Sequence, residues 1–107
     1  IGDVAGKTAI LFDDIIDTGG SLIKVANVLA DQGAKKIYAA CTHGVLSGKA
    51  VINLEASPIE KLFITNTIQL AEEKRNCNKI VQLSIAEMLA IAIKKIHIEE
   101  SISILFR

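Results

Sequence analysis

The chain has 107 residues, and its charges balance, with 12 Lys plus Arg against 12 Asp plus Glu. A net charge of zero provides no long-range field to attract a polyanion, so the composition argues against nucleic acid or a membrane surface as a partner. Half of the residues are hydrophobic and only 4% are aromatic, which is typical of the aliphatic core of a buried parallel sheet in one domain at most.

The hydrophobic pattern switches between strand-like and helix-like periods, as it does in repeating β-α units. The pattern predicts strands at 8–12, 37–41, 61–65 and 79–83, helices at 22–32, 49–54 and 85–95, and a charged loop at 69–78. Ser84 and Glu87 are spaced as a capping box that opens the last helix. These elements predict an α/β fold in which a parallel sheet is flanked by helices.

The most informative segment is residues 10–22, where an apolar strand runs into an acidic pair and then into a turn rich in glycine and hydroxyl groups. Gly19 and Gly20 let backbone N–H groups converge, and Thr18 and Ser21 add hydroxyl donors. The helix that follows directs its unpaired N–H groups and its positive dipole end at the same place. This turn therefore predicts a phosphate-binding site.

The acidic pair, Asp13 and Asp14, needs its own explanation, because a carboxylate and a phosphate about 4 Å apart repel by roughly 4 kcal/mol at an effective dielectric constant of about 20. Sugar hydroxyls that donate to the carboxylates, and a Mg²⁺ ion that prefers oxygen ligands, both offset that repulsion. The segment is thus interpreted as a site for a sugar phosphate with metal. The structural alternative is a strand-turn-helix connection in which Asp17 and Ser21 only cap the helix.

Several other polar residues have two interpretations each. His43 follows the second strand on the same sheet edge, and it either contacts substrate or bonds within its loop. Ser47 either contacts a nucleotide or a regulatory phosphate, or caps a helix. Residues 65–67 end the third strand at the binding edge of the sheet, where they either face a ligand or form an ordinary turn. Lys74 and Arg75 belong to a charge run that is typical of a solvated face.

Residues 12–21 resemble the phosphoribosyl pyrophosphate signature that type I phosphoribosyltransferases share with ribose-phosphate pyrophosphokinases. Residues 42–48, 62–68 and 101–106 are similar to the pyrophosphokinase family in the same order and at similar spacing. The resemblance covers nearly all of the chain and corresponds to the carboxyl-terminal third of a family member. The opening residues, which lack an initiating Met and already sit inside the family pattern, lead us to expect a piece of a longer protein.

The resemblance implies a truncated fold of the type I phosphoribosyltransferase kind. Residues 1–83 would form an incomplete carboxyl-terminal domain, and residues 84–107 a helix and strand that pack on the missing amino-terminal domain. The parent would be a homo-oligomer in which dimers assemble to a hexamer. We expect it in the cytoplasm, because no signal peptide is visible and the apolar stretch 85–98 is too short and too charged to span a bilayer.

The resemblance also implies a reaction in nucleotide biosynthesis. Ribose-phosphate pyrophosphokinases transfer the β,γ-diphosphoryl group of Mg-ATP to ribose 5-phosphate, which gives phosphoribosyl pyrophosphate and AMP. Carried over by position, the 5-phosphate would be held by Asp17, Thr18, Gly19, Gly20 and Ser21, and the ribose hydroxyls with their Mg²⁺ by Asp13 and Asp14. A regulatory phosphate or nucleotide site would involve Ser47, Ser101, Ser103 and Phe106. No catalytic residue is expected in this piece, because the family's catalytic loop and ATP-binding surface lie upstream, so the piece alone is expected to be inactive.

Three other functions remain open. A phosphoribosyltransferase would use the same cradle on the finished pyrophosphate ester, but the similarity at residues 42–48 and at the chain end argues against it. A non-catalytic, synthetase-associated regulatory subunit would retain this fold. A phosphorelay receiver also has an acidic pair after a strand, but it should present a phospho-accepting Asp after a later strand, where this chain has Thr42 and Asn66.

Overall fold

A computed structural model describes residues 2–99 and 102–106 of the chain, with the backbone only at positions 104 and 106. The elements alternate as the sequence predicts, and the predicted α/β class is confirmed. The strands are β1 (Thr8–Ile16), β2 (Lys36–Gly44), β3 (Ile59–Thr65) and β4 (Ile80–Leu83). The helices are α1 (Gly20–Asp31), α2 (Ala50–Glu55), α3 (Glu72–Arg75) and α4 (Ala86–His97), followed by a 3-10 turn at Ser103–Phe106.

The four strands form one parallel sheet in the order β1-β2-β3-β4, so each strand pairs with the one before it in the chain. The buried core lies on one face, where alternate strand side chains meet α1 and α2. Its members are small or aliphatic: Ile16, Ala26, Ile37, Ala39, Cys41, Leu46, Ala50, Leu54, Ile59, Leu62, Ile64, Leu70 and Cys77. This packing places the carboxyl ends of all four strands at one edge, where ligands bind in open α/β folds.

β1 is longer than predicted, because the ladder with β2 continues past the acidic pair. Asp13 pairs with Cys41, and Ile15 pairs with His43. The β-branched residues Ile15 and Ile16 suit an extended backbone, so they carry the strand to position 16. The prediction that the carboxylates follow the strand is wrong by a few residues, since Asp13 lies within it.

The opposite face of the sheet carries large apolar side chains that stay exposed. Phe12 is 79% exposed and Ile10 is 56% exposed. Beside them, the rings of Tyr38 and Phe63 lie with centroids 6.4 Å apart in a tilted arrangement. We call these four residues the open face.

The carboxyl-terminal part differs from the prediction in two ways. α4 begins at Ala86, whose N–H donates to Ser84 Oγ at 3.2 Å, and the N–H of the preceding Ile85 donates to Asn66 Oδ1 at 3.0 Å. None of its side chains is buried. The predicted final strand is wrong: a 3-10 turn occupies Ser103–Phe106, where the Leu105 N–H donates to the Ile102 carbonyl at 3.1 Å. This short-range bond satisfies the backbone without a neighbouring strand.

The division of the chain into two parts between residues 83 and 84 stays a prediction. In the part of the chain that the structure describes, no helix has the length and hydropathy to cross a membrane.

Candidate functional site

A cleft of about 220 Å³ opens at the carboxyl end of β1. This is smaller than the roughly 300–1,000 Å³ of sites for drug-sized ligands, so it suits a small polar molecule. Six of the seven residues predicted to hold a sugar phosphate line it: Asp13, Asp17, Thr18, Gly19, Gly20 and Ser21. The seventh, Asp14, is exposed next to Asp13 but is not part of the lining.

The start of α1 forms one wall of the cleft and is left uncapped. Gly19 adopts φ +80°, a left-handed conformation that favours glycine, and no side chain caps the helix. The first turn of α1 contains no acidic residue. Among residues 2–99, no acceptor is found for the N–H of Gly19. Unpaired amides and the positive helix end therefore face a cleft that can accept an anion.

Asp17 does not cap α1, so the structural alternative considered for this segment is not what the structure shows. Its carboxylate accepts a hydrogen bond from the hydroxyl of Ser47, in the loop after β2. The Ser47 N–H also donates to the Asp17 carbonyl at 2.9 Å. Ser47 is thus not a helix cap either, since α2 begins at Ala50 after an N-cap at Lys49.

The loop of residues 45–48 is anchored to the end of β1 and to α3. The N–H groups of Val45 and Leu46 both donate to the Ile16 carbonyl, at 3.0 and 3.1 Å. Lys74 Nζ donates to the Leu46 carbonyl at 2.6 Å, and Arg75 Nε donates to the Leu70 carbonyl at 3.0 Å. The predicted solvated face fits Arg75, which is exposed, but not Lys74, which is half-buried with its Nζ on a loop carbonyl.

The acidic pair is held by its own backbone. Asp13 Oδ1 accepts from the Asp14 N–H, and Asp14 Oδ1 accepts from the Ile15 N–H, each at 2.8 Å. A side-chain hydrogen bond with Asp13 and the bond from the Ile15 N–H lower the pKa of Asp14, and the nearby His43 adds a smaller effect in the same direction. Asp14 is therefore ionised at neutral pH.

The carboxylates of Asp13 and Asp14 fit Mg²⁺ as part of a site that the oxygens of a bound ligand complete. The described residues contain no group of three or more His, Cys, Asp or Glu side chains that could hold a metal ion. Mg²⁺ is commonly bound by one or two carboxylates together with oxygens of the substrate. Asp13 and Asp14 match that arrangement, so they would hold the ion jointly with a ligand.

Polar residues continue along the same sheet edge. His43 Nδ1 lies 2.7 Å from Thr67 Oγ1, and Thr65 Oγ1 donates to the Thr42 carbonyl at 2.6 Å. His43 thus has a hydrogen-bond partner in a neighbouring loop rather than within its own loop, as the structural interpretation expected, and its contact with substrate stays a prediction. Asn66 accepts from the Ile85 N–H, so it connects β3 to the start of α4. The sequence predicted Asn66 to lie at the binding edge or in a turn, and it did not indicate the bond to Ile85.

The remaining predicted residues lie at the chain end. Ser103 is exposed in the 3-10 turn. Ser101 lies outside the described residues, and so does the side chain of Phe106. Their assignment to a regulatory site stays a prediction.

Comparison with known proteins gives one consistent result. The family model of the phosphoribosyl synthetase-associated domain matches residues 1–107. The chain belongs to this family. Ribose-phosphate pyrophosphokinases from Bacillus caldolyticus and Bacillus subtilis are 52% and 50% identical to this chain over 99% of its length. The chain spans only about 33% of the length of each of these relatives.

A solved structure agrees with the family assignment. The crystal structure of phosphoribosylpyrophosphate synthetase from Mycobacterium smegmatis is 42% identical and superposes with a TM-score of 0.88. The match covers 92% of this chain and 33% of that one. The four-stranded parallel sheet with its flanking helices is therefore the fold of one part of such an enzyme.

Proposed function

We propose that this chain supplies the ribose 5-phosphate site of a ribose-phosphate pyrophosphokinase. The observation that carries the proposal is the uncapped start of α1, which faces a cleft lined by Asp13 and by the turn at residues 17–21. The names of the relatives support it, because those proteins are ribose-phosphate pyrophosphokinases or synthetases. The same proposal includes a fold of the type I phosphoribosyltransferase kind and a place in the carboxyl-terminal third of the parent.

The chemistry of the cleft assigns a role to each part of the sugar phosphate. The 5-phosphate would accept from the backbone N–H groups at Gly19 and Gly20 and from the hydroxyls of Thr18 and Ser21. The ribose hydroxyls would donate to Asp13 and, at the rim of the cleft, to Asp14. Mg²⁺, when bound at this pair with the substrate, would neutralise part of the negative charge of the phosphates.

The contribution of this chain to the reaction is positional. Transfer of a diphosphoryl group depends mainly on alignment of the reacting oxygens and on neutralisation of charge. A sugar held at both its phosphate and its ring hydroxyls presents its anomeric hydroxyl in one orientation. ATP would bind to the remainder of the parent, a homo-oligomeric cytoplasmic enzyme, so we expect no turnover from the isolated 107-residue chain.

Calorimetric titration of the chain with ribose 5-phosphate in the presence of Mg²⁺ tests the proposal. We expect binding to ribose 5-phosphate and much weaker binding to free ribose, because ribose lacks the phosphate. The double variant D17A/T18A should reduce the affinity for ribose 5-phosphate at least about tenfold, because the phosphate, a charged acceptor, loses the hydrogen bond from the Thr18 hydroxyl. Thr8→Ala, at the opposite end of β1, is the matched control and should bind normally. Equal affinity of the double variant and the wild type would overturn the proposal.

A second assay separates the parent reaction from that of a phosphoribosyltransferase or a regulatory subunit. The full-length parent is given either ribose 5-phosphate with ATP or a nucleobase with phosphoribosyl pyrophosphate. Formation of AMP and phosphoribosyl pyrophosphate from the first pair is the expected result. Reaction of only the second pair would contradict the proposed activity, and no reaction with either would indicate a non-catalytic subunit.

A further inference from the structure

Asp17 is placed where its side chain would ordinarily bond to the backbone of its own turn. An Asp carboxylate commonly accepts from the N–H two residues further along the chain, which here belongs to Gly19. In this structure the carboxylate accepts from Ser47 instead, 30 residues away. The N–H of Gly19 has no acceptor among residues 2–99.

The loop that carries Ser47 is built to hold this residue in place. Leu46 has φ +52°, which is uncommon for a branched side chain and persists only where the surroundings enforce it. Its side chain is 2% exposed, its N–H donates to the Ile16 carbonyl, and its own carbonyl accepts from Lys74. Leu46 is thus fixed at its side chain, its amide and its carbonyl, and Ser47 follows it directly.

We propose that Ser47 is a positioning residue that holds the Asp17 carboxylate away from the start of α1. The amides at the turn are thereby left free for an anion. A carboxylate bonded to those amides would occupy the acceptor position of the phosphate and would repel it as a like charge. The inference rests on the proposed function for the identity of the anion, but the effect of Ser47 on Asp17 is independent of it.

The decisive experiment needs no ligand. The rate of solvent exchange at the Gly19 and Gly20 amides is measured by NMR in the 107-residue chain and in two variants. In Ser47→Ala the released Asp17 carboxylate should bond to these amides and slow their exchange several-fold. Ser47→Thr keeps the hydroxyl and should exchange as the wild type does. A merely structural role for Ser47 would loosen the loop and make exchange faster, so unchanged or faster exchange in Ser47→Ala overturns the proposal.

Titration with ribose 5-phosphate then connects the positioning to binding. Ser47→Ala should bind about tenfold more weakly than the wild type, and Ser47→Thr should restore most of the affinity. In an Asp17→Ala background, Ser47→Ala should have no additional effect, because the carboxylate through which it acts is gone. A full additional loss in that background would contradict the mechanism. If the wild type does not bind ribose 5-phosphate while exchange slows in Ser47→Ala, the positioning role stands and the proposed function fails.

Discussion

Asp14 illustrates how two neighbouring residues set the charge of the cleft. The side-chain hydrogen bond with Asp13 and the bond from the Ile15 N–H hold its pKa below the usual 3.8. Because the folded-state pKa is lowered, the fold favours the ionised form. The associated stability is present above about pH 3.8 and is lost as the pH falls through the lower, folded-state value.

NMR titration of the Asp14 carboxyl carbon checks this prediction. We expect a lower midpoint in the folded chain than in the same chain unfolded in urea, which serves as the reference. Equal midpoints in the two states would show that the hydrogen bonds to Asp14 do not favour its charged form.

Gly44 ends β2 against the side chain of Ile64. A methyl group added at Gly44 would lie 3.0 Å from Ile64 Cδ1 and Cγ2, and Ile64 is only 1% exposed, so it has little room to move. Gly44→Ala should therefore lower the free energy of unfolding by roughly 1–3 kcal/mol, measured by urea denaturation. Gly20→Ala is the matched control, because a methyl group there meets no atom within 4 Å. A similar stability for both variants would contradict the predicted clash.

At the residue scale, local chemistry was enough to predict the lining of the cleft. Glycines that permit a tight turn, and hydroxyl groups next to the start of a helix, indicate an anion site from residues only a few positions apart. Thr18, Gly19 and Ser21 could therefore be assigned to the cleft lining from the sequence. The bond between Ser47 and Asp17 could not, because no local pattern indicates which distant hydroxyl reaches a given carboxylate.

Lys79 shows how elements are joined through backbone carbonyls. Its Nζ donates to the carbonyls of Leu54 and Ser57, at 3.3 and 2.8 Å, at the carboxyl end of α2. A cation at this end pairs with unsatisfied carbonyls and with the negative end of the helix dipole. Lys79→Met should lower the free energy of unfolding by about 1 kcal/mol in thermal or urea denaturation. Lys24→Met, on the exposed surface of α1, should have almost no effect. Equal losses would argue against the carbonyl contacts.

At the element scale, the existence and order of the strands and long helices were predicted correctly, but their ends were not. β1 continues through Ile16 because its pairing with β2 outweighs the local signal of two Asp residues, which disfavour strands. The terminal segment was expected to be a strand from the family resemblance, but a strand needs a neighbour, and the backbone at Ser103–Phe106 forms a 3-10 turn instead.

The open face gives the whole molecule a large exposed apolar surface. Exposed patches of this kind bind hydrophobic dyes and favour association. Phe12→Ser should reduce the fluorescence of a bound naphthalene sulfonate dye. It should change the free energy of unfolding by less than about 0.5 kcal/mol, because the Phe12 ring is 79% exposed.

Leu62→Ala is the contrasting control, since Leu62 is buried in the core on the other face of the sheet. It should cost about 2–5 kcal/mol. A large loss of stability in Phe12→Ser would mean that its ring is packed rather than exposed.

At the scale of the whole molecule, the alternation of apolar segments was sufficient to predict a parallel sheet flanked by helices. It did not predict which face the described helices would cover. Ile10 and Phe12 are as hydrophobic as the residues that alternate with them, so the sequence of β1 is apolar on both faces. The position of α1 and α2 on one side of the sheet distinguishes the packed face from the exposed one.

The bonds from residues 45–47 to Ile16 and Asp17 also have a consequence for synthesis on the ribosome. The turn after β1 emerges early, yet the contacts that orient it come from a segment translated about 30 residues later. A nascent chain that has not yet exposed Ser47 would contain every residue of the cleft lining but not the bond that orders Asp17. Competence to recognise a ligand would therefore arise in one step, when β2 docks, rather than gradually as the polypeptide lengthens.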